Sequence, residues 1–157
     1  MAPTIETIDD LRERLDGHPF AMVTSSDERG TLSSRPLTIQ KFDDDGNLWF
    51  LVDRNSDWVP PVDGAAINAA IADGDDTWVS VAGRGRLVAD QATIEELKDP
   101  MSETYFDENS QIVALVVDSD RIEWWASSNK AVMVYELAKA KVTGSQPDVG
   151  ESGTIVT

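Results

Sequence analysis

Ser33-Ser34-Arg35-Pro36-Leu37-Thr38-Ile39-Gln40 is the stretch on which the reading of this chain turns. It lies inside a strand pattern that runs from Leu32 to Phe42, yet a proline stands in its middle. Proline donates no N–H, so within a sheet it is confined to edges and bulges, where no ladder bond is lost. Pro36 therefore predicts an irregular edge strand. It directly follows Arg35, a cation in a chain that carries 13 Lys+Arg against 29 Asp+Glu. Free backbone groups and a fixed guanidinium then converge on one place, an edge that suits a phosphate and a heterocycle. The competing reading is a plain edge strand whose Arg35 is held in a salt bridge.

Outward from this stretch the chain alternates with period two. Asp27-Glu28-Arg29-Gly30 has turn chemistry, and Phe20 to Ser25 before it reads as a strand. Asp43-Asp44-Asp45-Gly46-Asn47 is a second tight turn, followed by a strand from Leu48 to Asp53. These turns predict three antiparallel strands in a meander. Ahead of them, Ile5, Ile8, Leu11 and Leu15 recur at helical spacing, with Thr4 as the cap and Gly17 as the left-handed stop. Beyond them, Pro60-Pro61 breaks the chain, and Val62, Ala65, Ala66, Ala69 and Ala70 suggest a short alanine-rich helix ended by Asp73-Gly74-Asp75-Asp76.

Trp78 to Ala89 reads as a long strand, with Gly83 and Gly85 marking a bulge or a close backbone approach. Thr93-x-x-Glu96 has capping-box spacing for a short helix through Leu97. Met101 to Asn109 is acidic and loop-like, anchored by Tyr105 and Phe106. Ile112 to Asp118 and Arg121 to Ala126 are two strands or one long bent strand. Ala131, Val134, Tyr135 and Leu137 to Ala138 read as a closing helix from about Asn129 to Lys141. Residues 143–157 are Gly, Ser, Pro and acid without periodicity, and are expected to form a disordered tail. The fold class is mainly β, or α+β: a small antiparallel barrel of six or so strands with short flanking helices, in one domain over 1–142.

Composition narrows the function. The 157 residues suffice for one core. There is no cysteine, which excludes disulfides, thiolate nucleophiles and iron–sulfur clusters. One histidine, His18, excludes a His-pair metal site and reads as a surface or helix-end imidazole. The net charge of −16 repels phosphate backbones and anionic membranes, so neither nucleic acid nor membrane is an expected partner. The start of the chain carries no signal-peptide pattern, and no run is apolar enough to span a bilayer, which together point to a cytoplasmic protein. Asp53 to Asp57 alternates like a calcium loop, but Trp58 stands where that loop needs glycine. Gly83-Arg84-Gly85 lacks the third glycine of a dinucleotide fingerprint. Five tryptophans remain to be explained, two of them adjacent. In a strand Trp124 and Trp125 point to opposite faces, so one is expected outside the core, at an interface or a planar ligand.

Taken in order, four landmarks resemble the pyridoxamine 5'-phosphate oxidase-like split-barrel flavoproteins, in particular the general stress protein branch. They are Ser34 to Gln40, Leu48 to Asp53 followed by Ser56, Trp78 to Gly83, and Glu123-Trp124-Trp125. The resemblance spans Ile5 to Gly144. It implies a homodimer with FMN at the subunit interface and flavin-dependent hydride or two-electron transfer with a small-molecule redox partner. It also implies that Arg35 pairs with the cofactor phosphate and that Pro36, Leu37 and Thr38 lie along the ring system. Leu51 and Val52 fall on the next cofactor-contacting strand, and Ser56, Asp57 and Trp58 on the phosphate-binding turn. Trp78 stands where the oxidase has a glutamine near the cofactor, and Trp125 matches a tryptophan near the flavin of the opposite subunit.

Three positions depart from the pattern. Trp58 replaces a phosphate-binding lysine, Asp57 replaces an arginine, and Gln40 replaces a lysine. The oxidase's C-terminal substrate-binding arginine and histidine have no counterpart, so pyridoxamine phosphate is not the implied substrate. The alternatives are a cofactor-free binding or stress-buffering module on the same fold, or a relative that holds a deazaflavin or a haem-type ligand.

Overall fold

Alternating burial along the chain builds one eight-stranded antiparallel sheet among the described residues, which are 5–74, 76–127, 130–146 and 150–157 of this computed structural model. The strands are β1 (Phe20–Ser26), β2 (Leu32–Thr38), β3 (Lys41–Phe42), β4 (Leu48–Asp53), β5 (Ala66–Ala72), β6 (Thr77–Val88), β7 (Ile112–Ser127) and β8 (Gly150–Val156). Their spatial order is β2-β1-β5-β6-β7-β4-β3, with β8 pairing the second half of β7. Four α-helices accompany them among the described residues, α1 (Ile8–Arg14), α2 (Gln91–Leu97), α3 (Pro100–Tyr105) and α4 (Lys130–Thr143), and a 3-10 turn spans Pro60–Val62.

That order makes the sheet a curled half-barrel. β2 and β3 lie at opposite ends of it, yet only Ile39 and Gln40 separate them along the chain. The backbone bridges the two ends there: the Ile39 N–H donates to Pro19 O at 2.7 Å and the Gln40 N–H to Trp49 O at 2.8 Å. The expected single strand from Leu32 to Phe42 is therefore broken, and the three-stranded meander is two hairpins joined across the split. β1 pairs with β2, and β3 with β4. A proline at position 36 fits this arrangement because β2 is an edge strand.

The interior is filled by the inward side chains of the strands, among them Val23, Phe50, Ile67, Val79, Leu115 and Ile122. Leu11 and Leu15 carry α1 into the same core. Arg14 fixes that helix by donating to the Thr77 hydroxyl at 2.9 Å and to the Asp76 carboxylate at 2.8 Å. A second, smaller cluster of Leu51, Ile94, Leu97 and Ala114 seats α2 against β4 and β7. Gly83 is required where β6 changes register against β7, since a Cβ there would lie 2.0 Å from the Asp118 carbonyl oxygen.

Several local expectations are corrected. The alanine-rich segment is the strand β5, because Ile67, Ala69 and Ile71 alternate inward and both edges are paired, to β1 and β6. Tertiary pairing there overrides alanine's helix preference. Thr7, in a capping box with Asp10, starts α1, and Asp90 rather than Thr93 caps α2. The loop at 101–109 contains α3, capped by Asp99 with Pro100 in its first turn. Of the two readings of Ile112 to Ala126, the structure has the single long strand, β7. The tail at 143–157, expected to be disordered, contains β8, which pairs residue by residue with β7 from Arg121 to Ser127. Thr4, Asp75 and Asn129, expected as a cap, a turn residue and a helix start, lie outside the described residues. No helix among the described residues is long and apolar enough to cross a membrane.

Candidate functional site

The split between β2 and β4 opens a crevice of about 330 Å³. Its walls are Arg35, Pro36, Leu37 and Thr38 from β2, Leu51 and Val52 from β4, and Ser56 and Trp58 from the turn that follows β4. Residues far apart in sequence meet there because the curled sheet brings its two ends together. The volume lies near the lower limit for small-molecule sites, about 300 to 1,000 Å³.

Among the described residues Arg35 is the only cation lining the crevice. The register sets its neighbours: it pairs with Val23, and one guanidinium nitrogen donates to the Ser25 hydroxyl at 2.8 Å and the Val23 carbonyl at 3.4 Å. The other terminal nitrogen donates to the Ser33 hydroxyl at 2.6 Å. All these acceptors are neutral. No carboxylate forms an ion pair with Arg35 among the described residues, so the salt-bridged reading of this edge does not hold. Partial burial lowers its pKa, the mark of a charge that has lost water without gaining a counter-ion. The Trp58 ring lies under the guanidinium, 4.2 Å from its carbon, in a cation–π stack.

Asp57 does not share this crevice. It lines a neighbouring hollow of about 300 Å³ that shares Trp58 with the crevice and includes Ser25, Asp27, Glu28, Arg29 and Ser33. Trp78 and Trp125 stand apart too. They are direct cross-strand partners on β6 and β7, and border an open apolar cleft with Phe20, Met22 and Ala70. Each is about half exposed, at 48% and 45%, whereas Trp124 is buried at 5%. Phe20 borders both this cleft and the crevice, so the two spaces adjoin.

The sequence reading missed one wall. Ser102, Tyr105 and Phe106 close the crevice from α3, and Gln40 lines it at the β2–β3 break. The signal was present in Asp99-Pro100, an N-cap residue followed by a proline at the first helical position. The donor set fits one phosphate-sized anion and a flat apolar body. It offers a guanidinium without a carboxylate partner, the Ser56 hydroxyl, a sheet edge, and the side chains of Leu51 and Val52.

A family model described as pyridoxamine 5'-phosphate oxidase like matches residues 6–148. The chain belongs to that family. Among solved structures it is similar to the general stress FMN/FAD binding protein of Xanthomonas citri, with a TM-score of 0.67 and 22% identity over 81% of this chain and 93% of that one. A general stress protein 26 candidate from a Jannaschia species gives a TM-score of 0.67 and 24% identity, covering 95% of this chain and 99% of that one. PhzG of Burkholderia lata, solved with tetrahydrophenazine-1-carboxylic acid, gives 0.58 and 9% over 95% and 87%. At these identities the likeness shows the oxidase-like fold. No curated protein matches the chain.

Proposed function

We propose that this oxidase-like protein binds FMN in the β2–β4 crevice and serves as a flavin-dependent oxidoreductase of the general stress type. The observation that carries the reading is Arg35, a half-buried guanidinium without a carboxylate partner among the described residues, at the edge of a crevice with apolar walls. Arg35 and the Ser56 hydroxyl would hold the phosphate. The β2 edge from Pro36 to Thr38 would lie along the ring system, against Leu51 and Val52. When bound, the flavin supplies two-electron or hydride transfer, and the protein contributes position, electrostatics and exclusion of water. Among the described residues no crevice side chain is a carboxylate or imidazole, so no general base is assigned.

A second copy of the chain completes the site in this reading. The supporting observation is the adjoining apolar cleft, whose Phe20, Met22, Trp78 and Trp125 are each nearly half exposed. Apolar faces of this kind are commonly covered by a partner. The experiment is purification with added FMN, desalting, and an absorption spectrum. A yellow protein with about one flavin per chain supports the proposal, and a colourless protein that also leaves flavin fluorescence unquenched defeats it.

One observation favours a second reading, a cofactor-free binding module on the same barrel. Trp58, at the position where the family pattern has a phosphate-binding lysine, stacks on the Arg35 guanidinium instead of adding a second cation. Under that reading FMN binds neither the native protein nor its variants.

A further inference from the structure

Charge is distributed around the crevice in a way that restricts what else enters it. Within the crevice Arg35 is the one ionic group among the described residues. Beyond Trp58, the neighbouring hollow sets Asp27, Glu28 and Asp57 against Arg29. At the α3 end, a smaller hollow shares Ser102 and Phe106 with the crevice and sets Glu103 and Asp107 against Lys98. Lys98 is already engaged, donating to Glu95 at 2.8 Å. A single cation therefore sits between two acidic flanks, in a chain of net charge −16. An anion approaching such a field is repelled unless a fixed cation meets it, and Arg35 meets one.

The remainder of the lining is aromatic or neutral. Phe20, Trp58, Tyr105 and Phe106 offer ring faces, and Thr38 and Gln40 offer hydrogen bonds without charge. Ring faces of this kind stack on flat conjugated molecules. At the α3 end Lys98 is the one cation among the described residues, and it is paired with Glu95.

We infer that the crevice admits one anionic group and no more, so that the molecule sharing it with the cofactor is planar and either neutral or cationic. An unsubstituted quinone is of this class, and a phosphorylated or sulfonated ring is not. Naming FMN as the source of the one anion rests on the function proposed above. The charge filter is read from the crevice and flanking residues of one copy of the chain.

The test compares 1,4-naphthoquinone with 1,4-naphthoquinone-2-sulfonate by titration calorimetry at low ionic strength. Two forms of the protein are used, the FMN-saturated native chain and the Arg35→Ala variant without flavin, so that the single anion site is filled in one and removed in the other. In both, the neutral ring is expected to bind at least tenfold more tightly than the sulfonate, a difference of about 1.4 kcal/mol. Glu103→Lys, an exposed substitution on α3, is expected to narrow that ratio severalfold. Equal or tighter binding of the sulfonate overturns the inference, as does a ratio indifferent to Glu103→Lys or a failure of both rings to bind. If FMN does not bind, the flavin reading fails by itself, and the Arg35→Ala form still reads the filter.

Discussion

Arg35 owes its character to the company it keeps. Ser25, Ser33 and the Val23 carbonyl hold the guanidinium in place without neutralising it, and Trp58 shields one face from water. A charge kept half-desolvated in this way interacts more strongly with an incoming anion than one on an open surface. Asp57 works differently from what its position in the sequence suggests. A carboxylate beside a phosphate would oppose binding, at about 4 kcal/mol for a unit pair 4 Å apart at an effective dielectric of 20. Trp58 borders both spaces, and Asp57 lines the neighbouring hollow rather than the crevice. Asp57→Asn is therefore expected to change FMN affinity by less than about threefold, since a water-screened pair at longer range contributes only a fraction of that figure. Fluorescence titration of the variant against the native protein measures this.

The β3–β4 hairpin shows how one side chain secures an element next to the split. The Asp43 carboxylate accepts the backbone N–H groups of Asp45 at 3.0 Å and Asn47 at 2.9 Å, and the Trp49 indole N–H at 2.9 Å. Burial works against its charge, and these hydrogen bonds outweigh burial, so its pKa is lowered. A lowered folded-state pKa means that the stabilisation is present above the unfolded carboxylate's value, about 4, and fades as pH falls through the lower folded value. Asp43→Ala is expected to cost about 1 to 3 kcal/mol at pH 7. The gap from the native protein is expected to shrink in urea melts near pH 3.

Elements of this kind also show what the sequence makes legible. The turns at Asp27–Gly30 and Asp43–Asn47, the edge proline and the bulge at Gly83 are local signals with local causes, and the structure has each where its residues placed it. β5 was illegible for the opposite reason. Its alanines favour a helix in isolation, and only pairing with β1 and β6 makes the segment a strand. The same holds for the route of the chain at Ile39 and Gln40, where a period-two pattern continues while the backbone crosses from one end of the sheet to the other. Most of the crevice was legible because Arg35 to Thr38, Leu51, Val52 and Ser56 lie in recognisable landmarks. The α3 wall was not, since its acidic sequence hides a short helix behind a loop-like composition.

The molecule as a whole presents apolar surface on an otherwise acidic body. Trp78 and Trp125 form one patch with Phe20 and Met22, and α4 exposes Val134, Tyr135, Leu137 and Val142 as another. If the first patch is the face between two copies, a buried charge there is costly unless paired. Trp125→Glu is expected to shift the protein from dimer to monomer in sedimentation velocity at micromolar concentration. The barrel is expected to remain folded by circular dichroism, because Trp124, not Trp125, packs in the core. A dimer unchanged by the substitution would remove this face from the account.

The measurement that reaches furthest into the proposal is the titration of FMN into the native protein and into Arg35→Ala, followed by flavin fluorescence. Removing a charge-assisted contact to phosphate is expected to weaken binding by more than about tenfold, or at least about 1.5 kcal/mol. Native protein that does not quench the flavin, or a variant that binds it as tightly as the native chain, would contradict the assignment of the crevice to a flavin phosphate held by Arg35.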